Sequence, residues 1–227
     1  MGKRRVVHDF QECLAKSHAA SDLPFWEQCY RKAFPDFAAM VNHRRDGSHQ
    51  RLGIDRSVIL ESSRQLFIDE KVRGRNKVTW QVYKDIALEV MSDRDRRTPG
   101  WICKPLMCDY IAYAIAPLGL CYLLPTPALQ AAWIRCGDAW MRDFGVRESH
   151  NASWTTLFCP VPEDVLFPEI GKGLRVAFDP VDCTEQKGLF TIVDTAPAKA
   201  ELPQVDQKYL RKPKDPQRTL FDTFPHG

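Results

Sequence analysis

Asp55, Asp69, Glu70 and Lys71 are the residues of this chain whose types and spacing could do chemistry. They lie in GIDRSVILESSRQLFIDEKVRG, from Gly53 to Gly74. Two apolar runs, IDRSVIL and QLFIDEKV, flank the polar stretch ESSR. β-Branched and aromatic residues on each arm, with turn-prone residues between, predict a hairpin. Each arm carries an acid where a core strand would carry Val or Ile, and a buried carboxylate is costly unless something compensates it. Two carboxylates and an ammonium held together in a sheet point to a divalent metal site. Side chains alternate along a strand, so Asp69 and Lys71 share one face and Glu70 points the other way. Asp55 reaches that face only in certain registers. A turn of three or five residues sets it directly opposite Asp69, whereas two or four would set it opposite Glu70. Directly opposed residues have Cβ atoms ~5 Å apart, close enough for two carboxylates to hold one ion.

The order of an Asp, a hairpin and then Asp-x-Lys resembles the PD-(D/E)XK nuclease superfamily. The literal Pro-Asp is absent, because Ile54 precedes Asp55; members vary there. The resemblance implies an α/β fold, a mixed central β-sheet flanked by helices, with a restriction-endonuclease-like core. It makes Asp55 and Asp69 metal ligands, Lys71 the catalytic cation that assists the attacking water, and Glu70 a ligand through its main-chain carbonyl. Hard carboxylate oxygens suit Mg²⁺, with Mn²⁺ as a substitute. Glu27, in LPFWEQCYRKAF, and Glu89, in DIALEVMSD, are the candidates for a third acid. The implied activity is hydrolysis of nucleic-acid phosphodiesters, with a DNA endonuclease as the leading reading and a homodimer as one way to cut both strands. The alternative is a nucleic-acid-binding or replication-adaptor protein that keeps the fold without cleaving.

Charge distribution agrees with a polyanionic partner. The net charge is only +3, but Arg73, Arg75 and Lys77 follow the acidic strand directly, and these are the expected nucleic-acid contacts. Arg94, Arg96 and Arg97 form a second cluster, partly cancelled by Asp93 and Asp95, and Arg44, Arg45 and Arg51 precede Asp55. Eight cysteines occur without a C-x-x-C pair, most in apolar surroundings, which reads as buried thiols of a reducing cytoplasm. Cys103 and Cys108 would make half a zinc site with nothing to complete it, and His43 and His49 show no obvious partners. No run approaches the ~20 apolar residues that span a membrane, and the amino terminus has no long apolar segment of a secretory signal. No G-x-x-x-x-G-K-[ST] fingerprint is present, which argues against a built-in motor.

The elements that must position these residues can be read in outline. Residues 6–18 and 24–34 predict helices, the second with Phe25, Trp26, Cys29, Tyr30, Ala33 and Phe34 on one face and Pro35 ending it. VNHRRDGSHQRLG reads as a polar loop into the hairpin. Residues 78–92 read two ways: Val82, Ile86 and Val90 fit a helix, whereas Ile86, Leu88 and Val90 alternate as a strand, and the clean local alternation favours a strand over 85–91. A second hairpin has arms 108–115 and 120–124. Thr126-Pro127 predicts a capped helix start, with a stripe of Leu129, Trp133, Cys136, Trp140 and Phe144. SWTTLFCPVP predicts a strand and EDVLFPEI a helical turn.

Residues 1–193 thus form the expected nuclease-like domain. Residues 194–227 turn rich in Pro, Lys, Asp and Gln and are expected to be a flexible tail. Within it, Gln217, Leu220 and Phe221 are similar to the Gln-x-x-Leu-Phe peptide by which bacterial proteins dock onto the DNA sliding clamp. Leu220 and Phe221 would anchor in an apolar pocket and Gln217 would fix orientation. A clamp pull-down should therefore recover the full chain and not a chain ending near residue 212; equal recovery of both would remove the tail as the docking element.

Overall fold

The structure is a computed structural model that describes residues 22–43, 45–75, 79–150, 154–171 and 173–181. The chain divides into two units, Met1–Pro197 and Ala198–Gly227, and every described residue belongs to the first. The helix expected over 6–18, Lys77 and the docking residues Gln217, Leu220 and Phe221 lie outside the described residues.

The first described helix, α1 (Phe25–Ala33), starts after Pro24 and buries Phe25, Trp26, Cys29 and Tyr30 along one stripe. Phe34 leaves the helix in an extended conformation, as the residue before a proline must. A strand not anticipated, β1 (Phe37–Asn42), follows. It is the edge of its sheet and mostly exposed, so it lacks the apolar alternation that marks a half-buried strand. The expected loop over 41–53 thus begins as strand and contains a short helix, α2 (Gly47–Arg51), whose first N–H groups are accepted by the Asp46 side chain. The predicted hairpin is β2 (Arg56–Leu60) and β3 (Gln65–Arg73).

Next come β4 (Asp85–Asp93), the short β5 (Thr98–Pro99), β6 (Tyr110–Ile115), β7 (Leu120–Pro125), α3 (Thr126–Phe144), β8 (Arg147–His150), β9 (Thr155–Pro162), α4 (Glu163–Ile170) and β10 (Leu174–Ala177). The second hairpin, β6–β7, turns over Ala116–Leu118 as expected. Thr126 departs from expectation. It is the first helical residue after Pro125 and makes no cap; its hydroxyl meets the Cys108 thiol at 3.3 Å instead.

Two sheets result. The central one is mixed, in the order β1-β2-β3-β6-β7-β10, with β3 and β6 parallel and its other pairs antiparallel. The second, β5-β4-β9-β8, is antiparallel. One face of the central sheet packs Val58, Leu66, Ile68, Val72 and Ala112 against Trp26 and Tyr30 of α1. Ile111, Tyr113 and Ile115 on the other face pack with Ile86, Leu88 and Val90 of β4 and with Leu129, Trp133 and Trp140 of α3. The cover on this second face is therefore a sheet together with helices, and not helices alone as expected. The cause is topological. Parallel neighbours need a crossover, and the chain from β3 to β6 makes it through β4 and β5.

Strand β3 threads both cores and carries charge into each. On the α1 side, Glu70 is buried with Arg56, their side chains 2% and 5% exposed. Arg56 Nη2 donates to Glu70 Oε2 at 3.2 Å, and the Tyr30 hydroxyl donates to Glu70 Oε1 at 2.7 Å. Removing one member of a buried pair strands the other charge, at ~3–5 kcal/mol. Glu70→Ala should therefore lower unfolding stability by about that amount in chemical denaturation; a loss under 1 kcal/mol would refute the role given to this pair.

Candidate functional site

The register of the first hairpin brings the predicted acids together. Arg56 pairs with Ile68 and Val58 with Leu66, and the Leu60 N–H bonds Arg64 O at 2.9 Å. That pairing leaves Glu61, Ser62 and Ser63 as a three-residue loop, with Ser63 in the left-handed region at φ 65°, the usual geometry of such loops. Asp55 lies just before the first paired residue of β2, and its side chain reaches Asp69 on β3. Its N–H donates to Ile68 O at 2.9 Å, and its carboxylate Oδ2 accepts the Glu70 N–H at 2.9 Å. In a strand the N–H and C=O of one residue point to the same side, so the Glu70 carbonyl faces Asp55 as well. Ile54, the residue before Asp55, gives its own N–H to His49 O at 3.0 Å.

Asp69 is 3% exposed and makes an ion pair with Lys71, two residues on along the same face. Its carboxyl also meets that of Asp55 in a hydrogen-bond contact. Burial pushes the Asp69 carboxyl up to about 7; Lys71 opposes the shift and Asp55 reinforces it. Burial disfavours the ammonium of Lys71, but Asp69 and Asp55, and then Glu89, outweigh it and hold the group above its usual range.

Glu89 reaches the site from β4, whose pairing with β9 is interrupted by a bulge between Glu89 and Met91. Burial raises its carboxyl, with Lys71 opposing, and its Oε1 accepts the Trp101 N–H at 3.3 Å. Gly100 allows this contact, because a Cβ there would lie 2.1 Å from the Glu89 carbonyl oxygen. Glu89 and Lys71 share a cleft of about 240 Å³ with Arg73, Trp101, Lys104 and Tyr113. The other candidate third acid, Glu27, is elsewhere: it pairs with Arg31 on the exposed side of α1 at 2.7 Å. The Glu70 side chain, turned into the opposite core, is excluded as a side-chain ligand.

The basic residues divide. Arg73, expected as a surface contact, is 4% exposed and lies 2.7 Å from Asp85. Arg75 is half-buried and bridges to Val82. Arg94 pairs with Asp95 and Glu148, and Arg96 with Asp93. The histidines, read as partnerless, in fact stack with ring centroids 4.0 Å apart. His43 Nε2 meets Ser57 Oγ at 2.7 Å and His49 Nδ1 meets Asp46 Oδ2 at 2.6 Å. Ligand atoms of His43, Asp46 and His49 lie within 4.8 Å of one another, a borderline-soft donor set beside Asp55, whose carbonyl accepts the His43 N–H at 2.8 Å. The described cysteines are free thiols, so no disulfide framework exists among them.

No protein-family model, no curated protein and no solved structure matches this chain. The reading of the site therefore stands on its geometry. Among the described residues, no helix is long and apolar enough to cross a membrane.

Two facing carboxyls, Asp69 buried with its value raised to about 7 and Asp55 half-buried, fit a hard divalent cation that would replace the proton between them. A carboxyl raised in the folded state contributes stability that is fully present below its unfolded value and is lost as the pH rises through about 7. A cation needs the ionised form, so Mg²⁺ or Mn²⁺ affinity should rise from pH 6 to pH 8, up to about tenfold per unit below the carboxyl's value. Calorimetry in buffers of different ionisation enthalpy should show close to one proton released at pH 6 and much less at pH 8. A flat affinity across this range would refute the assignment.

Proposed function

We propose that this chain is a divalent-metal-dependent nuclease with a restriction-endonuclease-like core, acting on DNA phosphodiesters. The observation that carries the reading is the convergence of Asp55, Asp69, Lys71 and Glu89 on one face of a central sheet. The resemblance to the PD-(D/E)XK pattern supports the same assignment. Asp55 and Asp69 would hold Mg²⁺, with the Glu70 carbonyl on the same side. When bound, the ion neutralises phosphate charge and lowers the pKa of a coordinated water.

Lys71 keeps its proton, so it acts as a donor and a positive charge and not as a base. With its side chain 27% exposed, it can orient a water toward the phosphorus or meet a non-bridging oxygen as charge develops. Glu89, across the cleft, faces the ammonium and limits where it points. The mixed wall of apolar and charged groups restricts water around the reacting phosphate.

A second reading rests on one feature. The Asp69–Lys71 ion pair already compensates the buried acid, so the site is chemically self-sufficient without an ion, as in a nucleic-acid-binding protein that keeps the fold but does not cleave. Calorimetry separates the two: no binding of millimolar Mg²⁺ or Mn²⁺ favours the non-catalytic protein.

Under the nuclease reading, Asp69→Ala and Lys71→Ala should each abolish metal-dependent cleavage, with losses of at least ~10³-fold and circular dichroism like wild type. Glu89→Gln should slow cleavage less. Wild-type protein inert on every DNA and RNA substrate with Mg²⁺ or Mn²⁺ would overturn the proposal.

A further inference from the structure

Arg73 follows Lys71 by two residues on the same face of β3, and it has an edge that no described residue satisfies. Its Nη1 lies 2.7 Å from Asp85 Oδ1 and donates to the Tyr113 hydroxyl at 3.3 Å. That hydroxyl is fixed in turn by the Ala87 N–H at 3.0 Å. The Tyr83 ring covers one face of the guanidinium, with Cζ 4.3 Å from the ring centroid. The other edge, Nε and Nη2, is buried and has no hydrogen-bond partner among the described residues.

Folded proteins leave few buried polar groups unmet, and those that remain ask for a reason. Nε–H and Nη2–H together form the planar fork that grips a carboxylate or phosphate with two parallel hydrogen bonds. Asp85 and Tyr113 hold Nη1 and Tyr83 covers one face of the guanidinium, so the fork is preorganised. Arg73 lines the cleft of about 240 Å³, where Lys71 and Lys104 add positive charge, Glu89 adds a negative one, and Ser149 and Thr156 add hydroxyls. That volume is below the ~300–1,000 Å³ of pockets that enclose drug-sized ligands. It suits one phosphate-bearing unit and not a length of duplex.

We infer that this cleft is a phosphate-binding pocket, in which the Nε/Nη2 fork of Arg73 takes two oxygens of a single phosphate group. Phosphate is favoured over a carboxylate because Lys104 adds a cation beside Arg73 and the hydroxyls of Ser149 and Thr156 can meet its further oxygens. The phosphate could belong to a nucleic-acid strand or to a free nucleotide. The pocket does not depend on the metal chemistry proposed above, and binding should occur without any cation.

The test uses the full chain in EDTA, titrated with inorganic phosphate, thymidine monophosphate and a short oligothymidylate. Binding is followed by calorimetry and by the arginine Nε–H resonances in ¹⁵N spectra. One arginine resonance should shift with phosphate. Arg73→Lys, which keeps the charge opposite Asp85 but loses the fork, should remove that signal and weaken binding at least tenfold while its thermal midpoint stays close to wild type. Tighter binding of the oligonucleotide assigns the pocket to a strand; tighter binding of the mononucleotide assigns it to a free nucleotide. Asp69→Asn should bind phosphate at least as well as wild type even if cleavage is never found. No arginine Nε shift with any of the three ligands, or a folded Arg73→Lys that binds as tightly as wild type, would overturn the inference. Should Arg73→Lys fail to fold, the wild-type resonance decides, recognised by its displacement over the Tyr83 ring.

Discussion

Charge buried in a sheet has to be answered locally, and strand β3 shows what that demands. Asp69, Glu70, Lys71 and Arg73 enter the interior within five positions. Alternation sends Glu70 to Arg56 and Tyr30 on one side, and Asp69, Lys71 and Arg73 to the other. In a medium where an isolated ion is expensive, each charge dictates a partner, and those partners dictate which elements lie alongside. Helix α1 must bring Tyr30 to Glu70, β2 must bring Asp55 and Arg56 to β3, and β4 must bring Asp85 and Glu89 over the far face.

The two faces solve the problem differently. On the α1 side the charges cancel in a closed set, with Arg56 and Glu70 matched and a tyrosine hydroxyl adding a third hydrogen bond to the carboxylate. That arrangement is structural. On the other side the cancellation is incomplete. Acids face one another, one of them is held near neutrality, and a guanidinium edge is left over among the described residues.

Much of this was legible in the residues. The hairpin, its alternation and the choice among turn lengths could be written down from GIDRSVILESSRQLFIDEKV, and the structure selects the three-residue loop that faces Asp55 with Asp69. Helix α1, strand β4, the β6–β7 hairpin and the stripe of α3 are also local patterns. What was not legible is non-local. No periodicity announces that β3 and β6 are parallel neighbours, so Tyr113 could not be placed beside Lys71. Nor does Arg73, in a run of bases, advertise that Asp85 and Tyr83 will bury it. Strand β1 escaped because an exposed edge needs no apolar code. His43 and His49 escaped because their stacking depends on Asp46 turning the chain into α2.

The crossover between β3 and β6 has a temporal consequence. The acidic hairpin is made of near neighbours in the chain and can form early. Its roof cannot, because β4 must pair with β9, whose last residue is Pro162. During synthesis the carboxylates therefore exist for a time without the wall that carries Glu89, Ser149 and Thr156. A ribosome-bound or prematurely terminated chain would hold the acidic hairpin while lacking the wall that encloses it, until nearly the whole core had emerged.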